Sequence, residues 1–370
     1  MNAPLREVGR RLHQHGSAPR VRGAAVFTHD VELPHMLQGA ILRSPHAHAR
    51  IRAIDTAAAR ALPGVHAVIT AADFPGQRYL HLGVRYADRH PLAVDKVRFY
   101  GEEVAAVAAD SAALARQALA LIAVNYEPLP AALTPEAALR ADAPEVHDGV
   151  LTAAGRNIAI RFACDYGDVA GAFARAAHVF EDEFAHGIVV PACMETNGTV
   201  ARFDPVTGQL TLWTATQAPF FVRKEVAHVL GLDIERVHIR GVEVGGGFGG
   251  KSKVCEQEAI AARLSIATGR PVKICLDRRE EFISGKTDHA KRIRIRTAVD
   301  ADGAILARSA SLQIDNGAYT AYAPTYVGAS RQRTVCLYRV QTAHYDCDLV
   351  YTNKVPGGQY RGMGAPQTIW

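Results

Sequence analysis

Short apolar runs, strict alternations and helix-period stretches follow one another along this chain in no fixed order. Leu37 to Leu42 and Val65 to Thr70 are rich in apolar and β-branched residues and predict strands. Val104 to Ala109 is apolar throughout and predicts a buried strand. Thr56 to Leu62 reads as a short helix stopped by Pro63-Gly64, and Ser111 to Val124 as an Ala/Leu-rich amphipathic helix of good propensity. Tyr126-Glu127-Pro128-Leu129-Pro130 then punctuates, and the run to Gly149 is rich in Ala and Pro with few bulky residues. A domain boundary is expected there, near residue 140, which divides the chain into 1–140 and 141–370.

The second part opens with strands at Ile158 to Ala163 and Val179 to Phe184, with a short helix, Val169 to Ala176, between them. Asp204-Pro205-Val206-Thr207-Gly208-Gln209 is a hairpin turn between Thr199–Phe203 and Leu210–Thr214. Phe220 to Gly231 carries apolar residues at helical spacing and a closing glycine. A β-rich run, Val237 to Val244, leads into Gly245-Gly246-Gly247-Phe248-Gly249-Gly250-Lys251. Cys255 to Thr268 predicts another helix, and strands follow at Val272–Leu276, Arg292–Val299 and Ile305–Ile314. No fixed-period repeat is present, so the fold class is mixed α+β rather than a regular βαβ succession.

Composition narrows the function only slightly. A chain of 370 residues can form two domains, and a formal charge of +5 is small for that length, with no basic block to favour nucleic acid. The six cysteines are far apart and form no C-x-x-C, which argues against an iron–sulfur cluster or structural zinc on this chain and for free thiols in a reducing compartment. Arg10-Arg11 has no apolar run behind it, as a signal peptide would need, and no stretch reaches the length of a membrane span. A cytoplasmic location is the expectation.

Candidate chemistry concentrates in three places. Five glycines around Phe248 let a backbone approach a ligand with its N–H groups forward, although a flexible hairpin has the same composition. Gln217, in Thr214-Ala215-Thr216-Gln217-Ala218-Pro219, sits where a strand ends and a helix begins, and its amide can serve a ligand or simply the local backbone. Arg361, in Gln359-Tyr360-Arg361-Gly362-Met363-Gly364-Ala365-Pro366-Gln367, can pair with a substrate oxygen or with a structural carboxylate. Lys251 reads as a solvated charge rather than a phosphate contact. His46 and His48 form an H-x-H pair with no third ligand nearby and are read as structural. Glu195, in Met194-Glu195-Thr196-Asn197, is read as satisfying buried backbone rather than as a catalytic group.

In this order and spacing the three segments resemble the molybdenum-cofactor subunit of the xanthine oxidase family of molybdenum hydroxylases. Val21 to Asp30 and Met36 to Ile51 look like the opening of that family's hammerhead domain, so the resemblance runs from about Gly16 to the last residue. It implies a hammerhead domain followed by the first molybdenum-cofactor domain, a molybdenum-pterin cofactor (molybdopterin or its cytosine dinucleotide), and [2Fe–2S] and FAD on partner subunits. By resemblance Gln217 lies beside the apical oxo group, Gly247, Phe248 and Gly249 wrap the molybdenum end of the pterin, Arg361 faces the substrate, and Met363 is an apolar neighbour of the substrate.

Three departures matter. Purine-oxidising members carry a glutamate after the loop lysine where this chain has Ser252, which argues against xanthine. Copper-containing carbon monoxide dehydrogenases have a cysteine in the active-site loops, and none stands beside Arg361 or in the glycine loop. The family's glutamate base lies in a Gly-x-Gly-Glu segment beyond the arginine loop, and no such segment occurs here. A truncated product, a fragment, or one polypeptide of a split subunit whose partner brings the base would each account for that. The implied reaction is hydroxylation of an aldehyde, N-heteroaromatic or CoA-linked aromatic carbon with oxygen from water. A related reductase, like the 4-hydroxybenzoyl-CoA reductases, and a catalytically incomplete scaffold for partner subunits are the alternatives.

Overall fold

A computed structural model describes residues 7–12, 14, 16–148, 155–252 and 255–369. The stretch 149–154, next to the expected boundary, and Trp370 lie outside the described residues. Seven strands form the main sheet, in spatial order Val237–Arg240, Gln209–Thr214, Gly198–Asp204, Val272–Cys275, Leu37–Arg43, Glu103–Ala109 and Val65–Thr70. Its centre is a parallel pair, Leu37 opposite Val272, so strands from both sides of residue 140 share one sheet.

Alternation on the strand Glu103–Ala109 shows why this sheet is buried on both faces. Ala106 and Ala108 point to a core completed by the helices Pro219–Leu230 and Glu256–Thr268, while Ala105, Val107 and Ala109 point to Ala115 and Ala118 of the helix Ala112–Ala120. Successive side chains take opposite faces, so a strand covered by helices on both sides must be apolar throughout. Gly231 and Gly269 close the helices before them in the left-handed conformation, φ +65° and +62°.

Several boundaries differ from expectation. The helix expected over Ser111–Val124 is Ala112–Ala120, and Ala123–Pro128 is instead a strand paired antiparallel with Ala49–Asp55. The expected punctuation at Tyr126–Pro128 is therefore the end of a strand. Val237–Val244 is regular only to Arg240; beyond it Glu243 makes an isolated bridge to Phe27. The helix Val169–Ala176 ends at Ala174.

A second sheet of five strands has the order Ile158–Tyr166, Thr342–Tyr351, Ile305–Gly317, Lys291–Val299 and His178–His186. The helix Ala323–Arg333 covers part of it through Ala323, Tyr326 and Val327. Buried ion pairs join the parts of the chain: Arg89 reaches Glu103 at 2.7 Å and Glu256 at 2.8 Å, and Lys286 reaches Glu256 at 3.1 Å. Among the described residues no helix is long and apolar enough to cross a membrane.

Candidate functional site

Three loops that are distant in sequence meet beyond the end of the strand Gln209–Thr214. Gln217 stands between that strand and the helix Pro219–Leu230, with Pro219 at the first helical position where its missing N–H costs nothing. The side-chain Oε1 of Gln217 accepts the N–H of Gly249 at 3.0 Å. Only an oxygen can accept there, so this bond fixes the amide orientation and leaves Nε2, a two-hydrogen donor on an exposed side chain, without an acceptor among the described residues. A Cβ on Gly247 would lie 2.5 Å from Gln217 Oε1, so the loop and the amide can approach this closely only because Gly247 has no side chain.

The arginine loop is bound to the other side of the glycine loop. The N–H of Arg361 donates to the carbonyl of Phe248 at 3.0 Å, and its guanidinium carbon lies 4.9 Å from the Phe248 ring centroid. Ser252 Oγ lies 2.6 Å from both the carbonyl of Gly249 and Oε1 of Gln359, and Gln359 Nε2 donates to the sulfur of Met363. Phe248, Arg361 and Met363 all have positive φ, +49°, +28° and +39°, as do the glycines that follow them, Gly249, Gly362 and Gly364. Left-handed backbone at non-glycine residues is unfavourable and concentrates where surrounding structure enforces it, often at functional sites.

Lys251 corrects the reading of a solvated charge. It is 1% exposed, and its ammonium sits 2.8 Å from Glu195 Oε2. The partner is 56 residues earlier in the chain, which is why no local pattern announces the pair. His48 is buried, with Nδ1 2.6 Å from the carbonyl of Pro130, and burial pulls its pKa below the ordinary histidine value. His46 packs edge-on against Tyr126. Among the described residues no group of three His, Cys, Asp or Glu side chains is placed to hold a metal ion.

The residues present suit an oxygen-rich, anionic pterin. Gly247 is buried, yet its N–H, like those of Gly246 and Phe248, donates to no protein acceptor among the described residues. A buried backbone donor left unpaired is costly, and the Gly247 N–H, flanked by those of the half-buried Gly246 and the exposed Phe248, is available to a ligand oxygen. Neither the glycine count nor the Arg-Gly pair reveals this arrangement on its own, because the segments of Gln217, Phe248 and Arg361 meet only in the fold.

Residues 151–370 match a family model described as the molybdopterin cofactor-binding domain, and residues 22–130 one described as the aldehyde oxidase and xanthine dehydrogenase a/b hammerhead domain. The chain is 37% identical to the carbon monoxide dehydrogenase large chain of Afipia carboxidovorans, covering 91% of this chain and 43% of that one. It is 34% identical to the nicotinate dehydrogenase large molybdopterin subunit of Eubacterium barkeri, covering 95% of this chain and 80% of that subunit. Quinoline 2-oxidoreductase from Pseudomonas putida 86 superposes with a TM-score of 0.87 at 36% identity, over 95% of this chain and 45% of that one.

Proposed function

The chain belongs to the aldehyde oxidase and xanthine dehydrogenase family of molybdenum hydroxylases, and we propose that it supplies the cofactor-cradling and substrate-facing loops of such an enzyme. The observation that carries the proposal is that Gln217 and Arg361 meet on one glycine loop, Gln217 at Gly249 and Arg361 at Phe248. When bound, a molybdenum-pterin cofactor supplies a centre that accepts two electrons from the substrate carbon as oxygen from water is added. The overall change is R–H plus water giving R–OH, two protons and two electrons.

In this reading Gln217 Nε2 donates to a cofactor oxygen, and the N–H groups of Gly246, Gly247 and Phe248 hold others. Arg361, steadied over the Phe248 ring, pairs with an oxygen or ring nitrogen of the substrate and stabilises negative charge that develops there. Met363 forms an apolar flank. Glu195 is engaged with Lys251 and with backbone, so we assign the proton-accepting glutamate to a further segment or to a second molybdenum polypeptide. Electrons leave through [2Fe–2S] and FAD subunits. No disulfide links the six cysteines, in keeping with a cytoplasmic setting.

Among the candidate substrates we favour an N-heteroaromatic ring or an aldehyde. Relatives named for nicotinate, nicotine and quinoline support this choice. Ser252 in place of the purine-binding glutamate argues against xanthine, and the missing loop cysteine argues against carbon monoxide. Coexpression of the chain with the Fe–S and FAD subunits and the segment carrying Gly-x-Gly-Glu tests the reading. Bound molybdenum and dye reduction with N-heteroaromatics or aldehydes are expected. A folded complex that binds no molybdenum would leave a scaffold, and one that only removes oxygen from a CoA-linked aromatic would be a reductase.

A further inference from the structure

A loop of seven residues with five glycines has far more conformational freedom than its neighbours, so whatever holds it in one ligand-facing form must be strong. The contacts that hold its two ends converge on one residue. Glu195 Oε2 accepts the N–H of Gly245 at 2.8 Å and the ammonium of Lys251 at 2.8 Å, the first and last residues of the loop. The main chain of Glu195 repeats both links: its N–H donates to the carbonyl of Gly245 at 3.1 Å, and its carbonyl accepts from Lys251 Nζ at 2.9 Å. The remaining oxygen, Oε1, lies 3.4 Å from the N–H of Thr28, on the N-terminal part of the chain.

Two further facts tie this contact to the site. A Cβ on Gly245 would lie 2.5 Å from Cβ of Glu195, so the close approach requires glycine there. The carbonyl of Lys251 accepts the N–H of Gln217 at 2.8 Å and faces Thr216 Oγ1 at 3.3 Å, so the lysine that Glu195 holds also sets the backbone of Gln217. The circuit closes through the Gln217–Gly249 bond.

We infer that Glu195 is the positioning residue of this site: it clasps both ends of the Gly245–Lys251 loop and, through Lys251, holds Gln217 in register with it. Glu195 acts through the loop and carries no proton of the reaction. Its role in catalysis rests on the reading of the loop as the cofactor cradle, whereas the clasp itself does not. Removing its charge leaves the Lys251 ammonium buried without its counter-charge, which destabilises the closed form of the loop.

The test is hydrogen–deuterium exchange of the chain in its assembled complex, comparing the native protein with Glu195→Gln and with Glu195→Gln/Lys251→Met. The double variant removes the stranded charge and so serves if the single variant folds poorly. Both should raise exchange in peptides spanning 245–251 about tenfold or more, as expected when a charge-assisted bond is removed, while the strand Gly198–Asp204 stays protected. In turnover, kcat should fall with KM nearly constant, and the acidic limb of the pH profile should remain where it was. Unchanged exchange in the loop would overturn the clasp, and loss of the acidic limb would make Glu195 a base. Because the exchange readout needs no molybdenum, a complex that proves to bind none would defeat the proposed function while still deciding the clasp.

Discussion

Arg361 rests on Phe248 in two ways at once, its N–H bound to the phenylalanine carbonyl at 3.0 Å and its guanidinium over the ring at 4.9 Å. Both residues are exposed, so neither contact is explained by core packing. The ring acts as a shelf that holds a cation at the edge of the glycine loop. At an exposed site such a contact contributes about 0.5–1 kcal/mol, enough to bias the guanidinium's position but not to hold the fold.

Arg361→Lys is expected to lower turnover by about tenfold or more, because lysine keeps the charge but cannot reproduce the planar, oriented fork. Thermal unfolding of the complex should stay within about a degree or two, since an exposed side chain adds little to the fold. Phe248→Ala should do the same more mildly, since Arg361 remains but has no shelf beneath it. Steady-state kinetics at matched molybdenum content checks both, and unchanged kinetics in Arg361→Lys would remove it from the site.

Gly247→Ala should separate cofactor binding from stability. Its Cβ would press on the Gln217 amide, the end of an exposed side chain that can swing away, so the fold should survive. The displaced amide should cost molybdenum occupancy or turnover. Gly249→Ala is the harsher change, with φ +99° and a Cβ 3.1 Å from the backbone of Gln359, and is expected to lower the melting temperature as well.

Two glutamates in the first turn of one helix predict opposite pH effects. Arg89 and Lys286 outweigh burial at Glu256 and hold its pKa down at about 2, whereas burial pushes Glu258 up to about 8. Glu256 therefore contributes stability that is present above about pH 4.5 and lost as pH falls toward 2. Glu258 contributes stability that is complete below about pH 4.5 and lost as pH rises toward 8. At neutral pH the second effect is worth up to about 3 kcal/mol, from 1.36 kcal/mol per unit. Glu258→Gln should remove this alkaline slope in urea titrations run at pH 5 and pH 8, because the glutamine oxygen can still accept the Cys255 N–H while its amide N–H donates to the Thr214 hydroxyl oxygen.

Lys291 offers a stabilising change. Its ammonium is buried without a hydrogen-bond partner among the described residues, lies 4.5 Å from the Tyr326 ring centroid, and has its pKa drawn down to about 8 by burial. Lys291→Met keeps the volume and removes the buried cation, so the unfolding free energy near pH 7 should rise by about 1–3 kcal/mol. A decrease would show that the ring contact outweighs the burial cost.

Local patterns announce the elements whose burial is regular. The helix Pro219–Leu230 shows its apolar face and its closing glycine, and Val65–Thr70 is bounded as its composition suggests. Thr342–Tyr351 is a strand that the sequence expectations, ending at Ile314, leave out, although His344, Asp346 and Asp348 alternate there with Tyr345, Cys347 and Leu349. The strand Ala123–Pro128 is hidden because Ala-Val after a long alanine-rich helix continues the helical pattern; its partner Ala49–Asp55 decides the matter. At the site, the residue types are visible in the sequence and the contacts are not. Lys251 is buried because of Glu195, and the Gln217 amide is fixed because of Gly249, and both are relationships between segments far apart in sequence.

An anomalous-scattering map at the molybdenum absorption edge, on crystals of the assembled complex, tests the central claim most directly. The account predicts a peak on the face bounded by Gln217, the Gly246–Phe248 N–H groups and Arg361. Molybdenum found elsewhere in the complex, with this face open to solvent, would contradict it.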